Sequence, residues 1–547
     1  MKKWLGAIFC VSLLCAQAAA QGTQEKGTQE KKIQILATAN TGAVILPYDP
    51  YSLAAANRGW ARLASAIKAE KRRSDATILV DCGDALQGSP MAYIYQEMRP
   101  GLANPIVKIM NDLGYRAYAP GAHDFDFGAN FVRAAEKQAS FPFLAANIVD
   151  RDGKPYFKPF TKITVDGVSV AILGLFVPHA PNLLRLHAQM GLVAKDAIDA
   201  AKEWVPKLRG AEKADIVIVM AHTGCEGPHL VSNESSTAFS LAEKVPGLDG
   251  IVATQGQQQV SARYKGIPIV QPLPLGQSIA SITFSLSRQG GRWTLRSSSP
   301  AVIPLDPLLP NDTQVLSATE QARLDESYYL DEEGPQLFAP LDGRWSTVEP
   351  TQLVQLIHDV QRKATGAQLS AAPSPGARIF IPKGPTSVRQ FYALAPNESR
   401  VARIRITGAQ LKAYLEHSGR YFRFSHLPDL INRGIPLADY DMVGGCSYAL
   451  DISRPVGRRV SALTFEGSPV RDDQMFTMAI STYRLAGGGG FMEAIGFKGQ
   501  PEMVSRETLR NLLMDYALSK ATLDISTPST WRTIPYLDRE RVEAAYR

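Results

Sequence analysis

Cysteine is scarce in this chain, which excludes a disulfide-stapled scaffold: there are five in 547 residues. Cys10 and Cys15 lie in the first twenty residues, so Cys82, Cys225 and Cys446 are left, an odd number. Cys82 and Cys225 each follow a buried-strand pattern and read as core thiols, with a bridge between them as the lesser alternative. Long apolar runs are missing after the N-terminus, and no later segment reaches the roughly 20 apolar residues of a spanning helix. A long basic block is missing too. The formal charge is +7, and the densest cluster, Lys71-Arg72-Arg73, reads as a solvated helix face rather than a nucleic-acid site.

The N-terminus shows Met1-Lys2-Lys3, an apolar run from Trp4 to Cys15, then Ala18-Ala19-Ala20 before Gln21. That order is a secretory signal peptide, residues 1–20, with cleavage expected after Ala20. Export follows, with the periplasm as the expected destination and the outer surface or medium as alternatives. A tandem polar pentapeptide follows, Gly22-Thr23-Gln24-Glu25-Lys26 and Gly27-Thr28-Gln29-Glu30-Lys31. With nothing to bury, residues 21–32 read as a disordered tether.

The rest, 45% hydrophobic across the chain, suits two domains. From Ile33 to about Leu305, short apolar runs alternate with amphipathic stretches: 33–36, 77–80, 168–175, 216–220, 251–253 and 267–270. Buried strands separated by helices predict an α/β layered domain over 33–305. Residues 306–350 loosen into prolines around an acidic, Tyr-containing linker helix near 319–330. A second domain, 351–547, opens with a helix over 352–362 whose Leu353, Leu356, Ile357 and Val360 share a face. Another helix starts at Thr407-Gly408-Ala409-Gln410, a capping-box spacing. Strand patterns follow at 447–452, 460–465 and 475–480.

Chemistry concentrates where strands end. Asp81-Cys82-Gly83-Asp84-Ala85-Leu86-Gln87-Gly88 follows an apolar strand and resembles the G-D-x-x-Q-G signature of the 5'-nucleotidases within the calcineurin-like phosphoesterases. Gly121-Ala122-His123-Asp124-Phe125-Asp126-Phe127-Gly128 resembles the family's G-N-H-E-F-D-Y-G motif, Ala145-Ala146-Asn147 its A-N-x segment, and Ala221-His222-Thr223-Gly224 its strand-end histidine motif. Val270-Gln271-Pro272 with Leu275-Gly276 resembles V-Q-P-x-x-x-G. In the second half, Val388 to Tyr392, Thr407-Gly408, Tyr440-Asp441, Val456 to Val460, and Tyr483-Arg484 with Gly487 to Phe491 are similar to the nucleotide-binding domain. The segment Asp451 to Gly457 points to the 2',3'-cyclic-nucleotide 2'-phosphodiesterase branch. The resemblance spans roughly residues 33–535. It implies a four-layer-type α/β metallophosphoesterase domain, a linker helix and an α+β substrate-binding domain.

In that family two divalent metals (Zn, Mn, Co or Mg) polarise the phosphoryl group and activate water. The resemblance places seven metal ligands here. Asp84 and His222 agree with the pattern, whereas Asn40, Gly42, Ala122, Gln255 and Gln257 depart from it. Amide oxygens suit hard cations better than Zn²⁺, and Gly or Ala side chains offer no donor. No stoichiometric dinuclear centre is therefore expected. His123 and Asp126 match the catalytic dyad, which is left with no metal-bound hydroxide to assist. One alternative lets three or four of Asp84, His123, Asp124, His222 and Cys225, which the resemblance places near one cleft, form a single Zn²⁺ site. Tyr440 and Tyr483 match the two rings that sandwich the base, although Ala395 to Val401 lacks the family's aromatic positions beside them. The glycine run 487–490 reads as a hinge or tight turn. The leading expectation is a catalytically impaired relative that binds a nucleotide or nucleoside and no nucleic acid. A hydrolase with an unconventional metal site and a protein-interaction module are the alternatives.

Overall fold

The computed structural model describes residues 29–537 apart from 75, 178–189, 226–236, 256–257, 290, 375–378, 424–429 and 528–529. The expected signal peptide, most of the tether, and Gln257 lie outside the described residues.

Two sheets form the first domain. One has five strands in the order 292–304, 278–289, 29–38, 77–81 and 117–118. The other has six, in the order 260–264, 267–271, 250–253, 216–222, 168–176 and 160–165. Strand alternation gives each sheet two apolar faces. Ile33, Ile35, Ile78 and Val80 of the first meet Val170, Ile172, Ile218 and Met220 of the second in one dry layer. The outer face of the first sheet is covered by the helices Trp60–Lys71, Pro105–Leu113 and Ala129–Gln138. Ala197–Gly210 and Ala238–Lys244 cover the outer face of the second. The result is a four-layer α/β/β/α sandwich.

The first strand, Gln29–Thr38, begins inside the segment expected to be a disordered tether. Gln29 to Lys32 pair with Arg288 to Ser285 on the long neighbouring strand. Backbone pairing there needs no apolar side chain, so polar residues 29–32 extend the ladder, an outcome that composition alone opposes.

The linker carries two helices, Thr313–Ala318 and Glu320–Leu330, and the second is the one expected from its acidic, tyrosine-containing pattern. In the second domain a five-stranded sheet runs 441–444, 369–373, 475–481, 400–407, 503–508, beside a four-stranded sheet, 468–469, 460–465, 447–451, 531–534. Its helix Gln352–Thr365 buries Leu353, Leu356, Ile357 and Val360, the predicted face. The capping box at Thr407 forms as expected. The Thr407 hydroxyl accepts from the Gln410 backbone N–H at 3.2 Å, and the Gln410 side-chain oxygen accepts from the Thr407 N–H at 3.0 Å. Among the described residues no helix is long and apolar enough to cross a membrane.

One buried group makes this domain sensitive to acid. His358 is buried, with Nδ1 3.0 Å from the Ser370 hydroxyl. Burial, with Arg362 adding to it, pushes the imidazole down to about 3. Its folded value lies below the unfolded value of about 6.5. The unfolded chain therefore takes up the proton first, and stability is lost as pH falls from about 6.5 toward about 3. Urea unfolding at pH 7 and pH 4 should show the unaltered protein losing a few kcal/mol more than His358→Gln. Equal losses would show that His358 does not set the acid limb.

Candidate functional site

The site forms at the carboxyl ends of the central strands, where two turns meet. The strand Thr77–Asp81 ends in Cys82-Gly83-Asp84, with Asp84 held at φ +55°. The Asn40-Thr41-Gly42 turn docks on it: the Asn40 N–H donates to Gly83 O at 2.7 Å and the Gly42 N–H to Asp84 O at 3.0 Å. Asn40 and Gly42 are left-handed too, at φ +54° and +61°.

At the centre Asp84 and His222 contact each other directly. His222 Nε2 lies 2.9 Å from Asp84 Oδ2, and both side chains are buried. The other ring nitrogen, Nδ1, is 2.8 Å from Cys82 O, and Asp84 Oδ1 accepts the His123 N–H at 2.8 Å. Burial alone would raise the Asp84 carboxyl, but the charges of His222 and His123 and the hydrogen bonds they donate outweigh it and hold the group below its ordinary range. For His222 burial pulls downward, and the Asp84 charge and hydrogen bond reverse it, so the imidazole titrates above its usual value. Each group thus favours the charged form of the other. Gly121 closes over it, since a Cβ there would sit 2.3 Å from Asp84 Oδ1 and 2.4 Å from His222 Cε1.

Two further carboxyls were not singled out for the role they play. Asp124 is fully buried and accepts from the backbone N–H groups of Asp84, Gly121 and Leu86 and from the Tyr118 hydroxyl at 2.5 Å. It therefore fixes the turn that carries Asp84 and holds Gly121 over it. Asp81 accepts from the Thr38 hydroxyl at 2.6 Å and the Gly83 N–H at 2.8 Å, and burial pushes it up to about 8. The H-D-F-D spacing put Asp124 beside the dyad, but nothing local said that it points inward. Asn147 is likewise structural: its side chain bonds both backbone groups of Phe176.

The His123–Asp126 pair is intact, with Nδ1 2.9 Å from Asp126 Oδ2, the imidazole 56% exposed and the carboxyl 8%. Ala122 is buried beside it. Gln255 lies at φ +119°, and its buried side-chain oxygen has no hydrogen-bond partner among the described residues. Among the described residues no group of three or more His, Cys, Asp and Glu is placed to hold a metal ion, so no three of Asp84, His123, Asp124, His222 and Cys225 make the single-zinc site of the alternative. Asp124 is committed to the turns, and Cys82 and Cys225 are free thiols that burial pushes upward.

The second domain presents its two matched tyrosines differently. Tyr483 is 46% exposed, whereas Tyr440 is 2% exposed and stacks on Tyr421 at 4.8 Å and 21°. Phe422 meets Tyr440 edge-on at 5.3 Å, so the face expected to sandwich a base is occupied by the protein's own rings. The sequence offered Tyr440 as an aromatic but gave no sign that Tyr421, nineteen positions earlier, would cover it. Behind them Arg484 forks onto Asp441 at 2.9 and 2.8 Å and reaches Asp439 at 2.8 Å, which ties the wall together. The glycine run forms a tight turn, with Gly487, Gly489 and Gly490 left-handed, and Gly489 O lies 2.7 Å from His417 Nε2.

The two sites are linked through Glu398. Glu398 is raised by burial despite its ion pair with Arg510, and the Asp126 charge adds to the rise. Two residues on, the Arg400 N–H donates to the Thr482 hydroxyl at 3.1 Å, next to Tyr483.

Comparison with known proteins agrees with this architecture. Residues 333–495 match the family "5'-nucleotidase, C-terminal domain". The chain is 26% identical to the trifunctional nucleotide phosphoesterase protein YfkN of Bacillus subtilis, over 94% of this chain and 39% of that protein. It thus spans well under half of that relative. It is 24% identical to a 2',3'-cyclic-nucleotide 2'-phosphodiesterase/3'-nucleotidase of Haemophilus influenzae, over 98% of this chain and 93% of the other. Among solved structures, a Staphylococcus aureus protein described as a candidate 5'-nucleotidase, in complex with alpha-ketoglutarate, superposes with a TM-score of 0.79 at 21% identity, over 92% of this chain and all of the other, and shows the shared fold. With its α/β/β/α sandwich leading into that 5'-nucleotidase C-terminal domain, the chain is similar along most of its length to the 5'-nucleotidases and 2',3'-cyclic-nucleotide phosphodiesterases.

Proposed function

We propose that this chain is an exported, catalytically impaired member of its family that binds a nucleotide or nucleoside in the cleft between its domains. The observation that carries the reading is the Asp84–His222 ion pair at 2.9 Å. The carboxylate suited to bridge two cations and the imidazole suited to ligate one neutralise each other. The donor set does not fit a two-metal centre. Asn40 and Gln255 offer amide oxygens, Gly42 and Ala122 no side-chain donor, and each ligand change costs at least the 10 to 100-fold in metal affinity or activity seen for outer-shell changes. Ligand binding needs no metal. Tyr483 exposes a ring face, and stacking contributes roughly 1 to 3 kcal/mol per base. Export rests on the signal-like residues 1–20.

A second reading keeps slow phosphoester hydrolysis, favoured by the intact, solvent-facing His123–Asp126 pair. A positioned acid or base contributes about 10² to 10⁴-fold. Elemental analysis together with hydrolysis of AMP and of 2',3'-cyclic AMP in Mn²⁺, Zn²⁺ or Co²⁺ decides between them. Metal well below one ion per chain and no turnover are expected. A rate near the enzyme median of about 10 per second would reject impairment. Adenosine or AMP should raise the melting temperature, and Tyr483→Ala should weaken that binding by about ten-fold or more. An unchanged melting temperature with every nucleoside and nucleotide would turn the reading toward a protein-interaction module.

A further inference from the structure

We propose that the two domains are locked in one orientation by a buried arginine and tyrosine clasp, so that the cleft is fixed rather than hinged. Three parts of the chain meet there. The first domain supplies Tyr51 and Tyr93, the linker helix Tyr329, and the second domain Tyr392, Glu398 and Arg510. Tyr51 stacks on Tyr392 with centroids 5.9 Å apart and planes at 22°. Tyr93 meets Tyr329 at 5.9 Å and Tyr392 at 6.2 Å. Among these rings lies the Arg510 guanidinium, 4.3 Å from the Tyr93 centroid and 4.7 Å from that of Tyr392. Its side chain is 0% exposed, and both terminal nitrogens bind Glu398, at 2.5 and 2.8 Å.

A second fastening lies alongside. Arg389, 9% exposed in its side chain, donates to Pro50 O in the first domain and, at 2.6 Å, to Asp331 Oδ1 at the end of the linker helix. Interfaces that let domains rotate within a chain are small and polar, resembling transient contacts. This one is aromatic, with Tyr392 and Arg510 fully buried and Tyr51, Tyr93 and Tyr329 partly so, and opening it would remove Tyr93 from the face of a buried cation and separate the Pro50 carbonyl from its charged donor.

The test uses the full chain with Cys225→Ser and spin labels on cysteines placed at the exposed positions of Lys137 and Lys498, one in each domain. Double electron–electron resonance should give one narrow distance distribution that 5 mM AMP (roughly saturating for a millimolar site) leaves unmoved. Tyr93→Ala and Arg389→Gln, introduced separately, should each add a second, displaced population. A broad or two-peaked distribution in the parent would overturn the proposal, as would narrow, unmoved distributions in both variants. Arg389→Gln leaves the aromatic cluster intact, and the parent measurement decides by itself if Tyr93→Ala does not fold.

Discussion

A variant carrying Asn40→Asp, Gly42→His, Ala122→Asn, Gln255→His and Gln257→His should bind close to two divalent ions per chain and hydrolyse a nucleotide. The unaltered protein should do neither. With five donors restored at 10-fold or more each, the gain in metal affinity or activity should exceed about 10³-fold even if the effects add poorly. The local backbone makes the positions unequal. Asn40 already sits at φ +54°, a conformation that Asp tolerates well. Gly42 sits at φ +61°, and a Cβ there would lie 3.1 Å from Leu275 Cδ2, so histidine at 42 costs about 1–2 kcal/mol and moves Leu275. The four-site variant that keeps Gly42 should therefore be the more stable and bind one ion rather than two. Inductively coupled plasma analysis, with phosphate release from AMP and 2',3'-cyclic AMP, reads both outcomes. If the five-site variant folds yet takes up no metal, ligand chemistry is not what separates this chain from a hydrolase.

That variant can be written down because much of the site is legible in the primary structure. Strands over 33–36, 77–80, 168–175 and 216–220 were marked by short, largely apolar runs, which is what burial on both faces demands. Asp84 and His222 stand at the ends of two of these strands and His123 follows the short strand 117–118, and the fold brings the three together: the His123 N–H donates to the same Asp84 that pairs with His222. What the sequence hid depends on contacts between distant residues. Arg510 and Glu398 stand 112 positions apart, and neither sits in a pattern that announces a buried ion pair. Tyr440 reads equally well as a stacking platform or a core ring, and only the position of Tyr421 and Phe422 decides. The polar strand extension at 29–32 was hidden for the converse reason: its partner, 285–288, supplies hydrogen-bonding groups that composition does not report.

The Asp84–His222 pair should also be visible in the pH dependence of stability, through a change of sign. In the unaltered protein Asp84 titrates below its unfolded value of about 3.9, so its contribution is complete above that pH and lost as pH falls through the folded value. His222 titrates above about 6.5, so its contribution is complete below that pH and lost as pH rises through the folded value. The pair therefore stabilises most between about pH 4 and 6.5. Asp84→Asn removes the charge and leaves burial, which lowers the imidazole, as the dominant influence on His222. The folded value then drops below 6.5, and the variant should lose stability as pH falls from about 7 to 5, where the pair in the unaltered protein loses none. His358 titrates in both proteins and cancels in the difference, whereas Asp124, whose carboxyl the Asp84 charge helps to raise, does not: relieving that rise in Asp84→Asn widens the gap toward low pH in the same sense. Chemical denaturation of the two proteins at pH 5, 6 and 7 should give a stability gap widest at pH 5, on the scale of about 3–5 kcal/mol for a broken buried pair. His222→Ala, which leaves the carboxylate without its imidazolium, should be destabilised by a similar amount, with a gap that narrows as pH falls and Asp84 takes up a proton. A gap independent of pH in both variants would mean that the two groups do not hold opposite charges, and the reading of this pair as a self-neutralised remnant would fail with it.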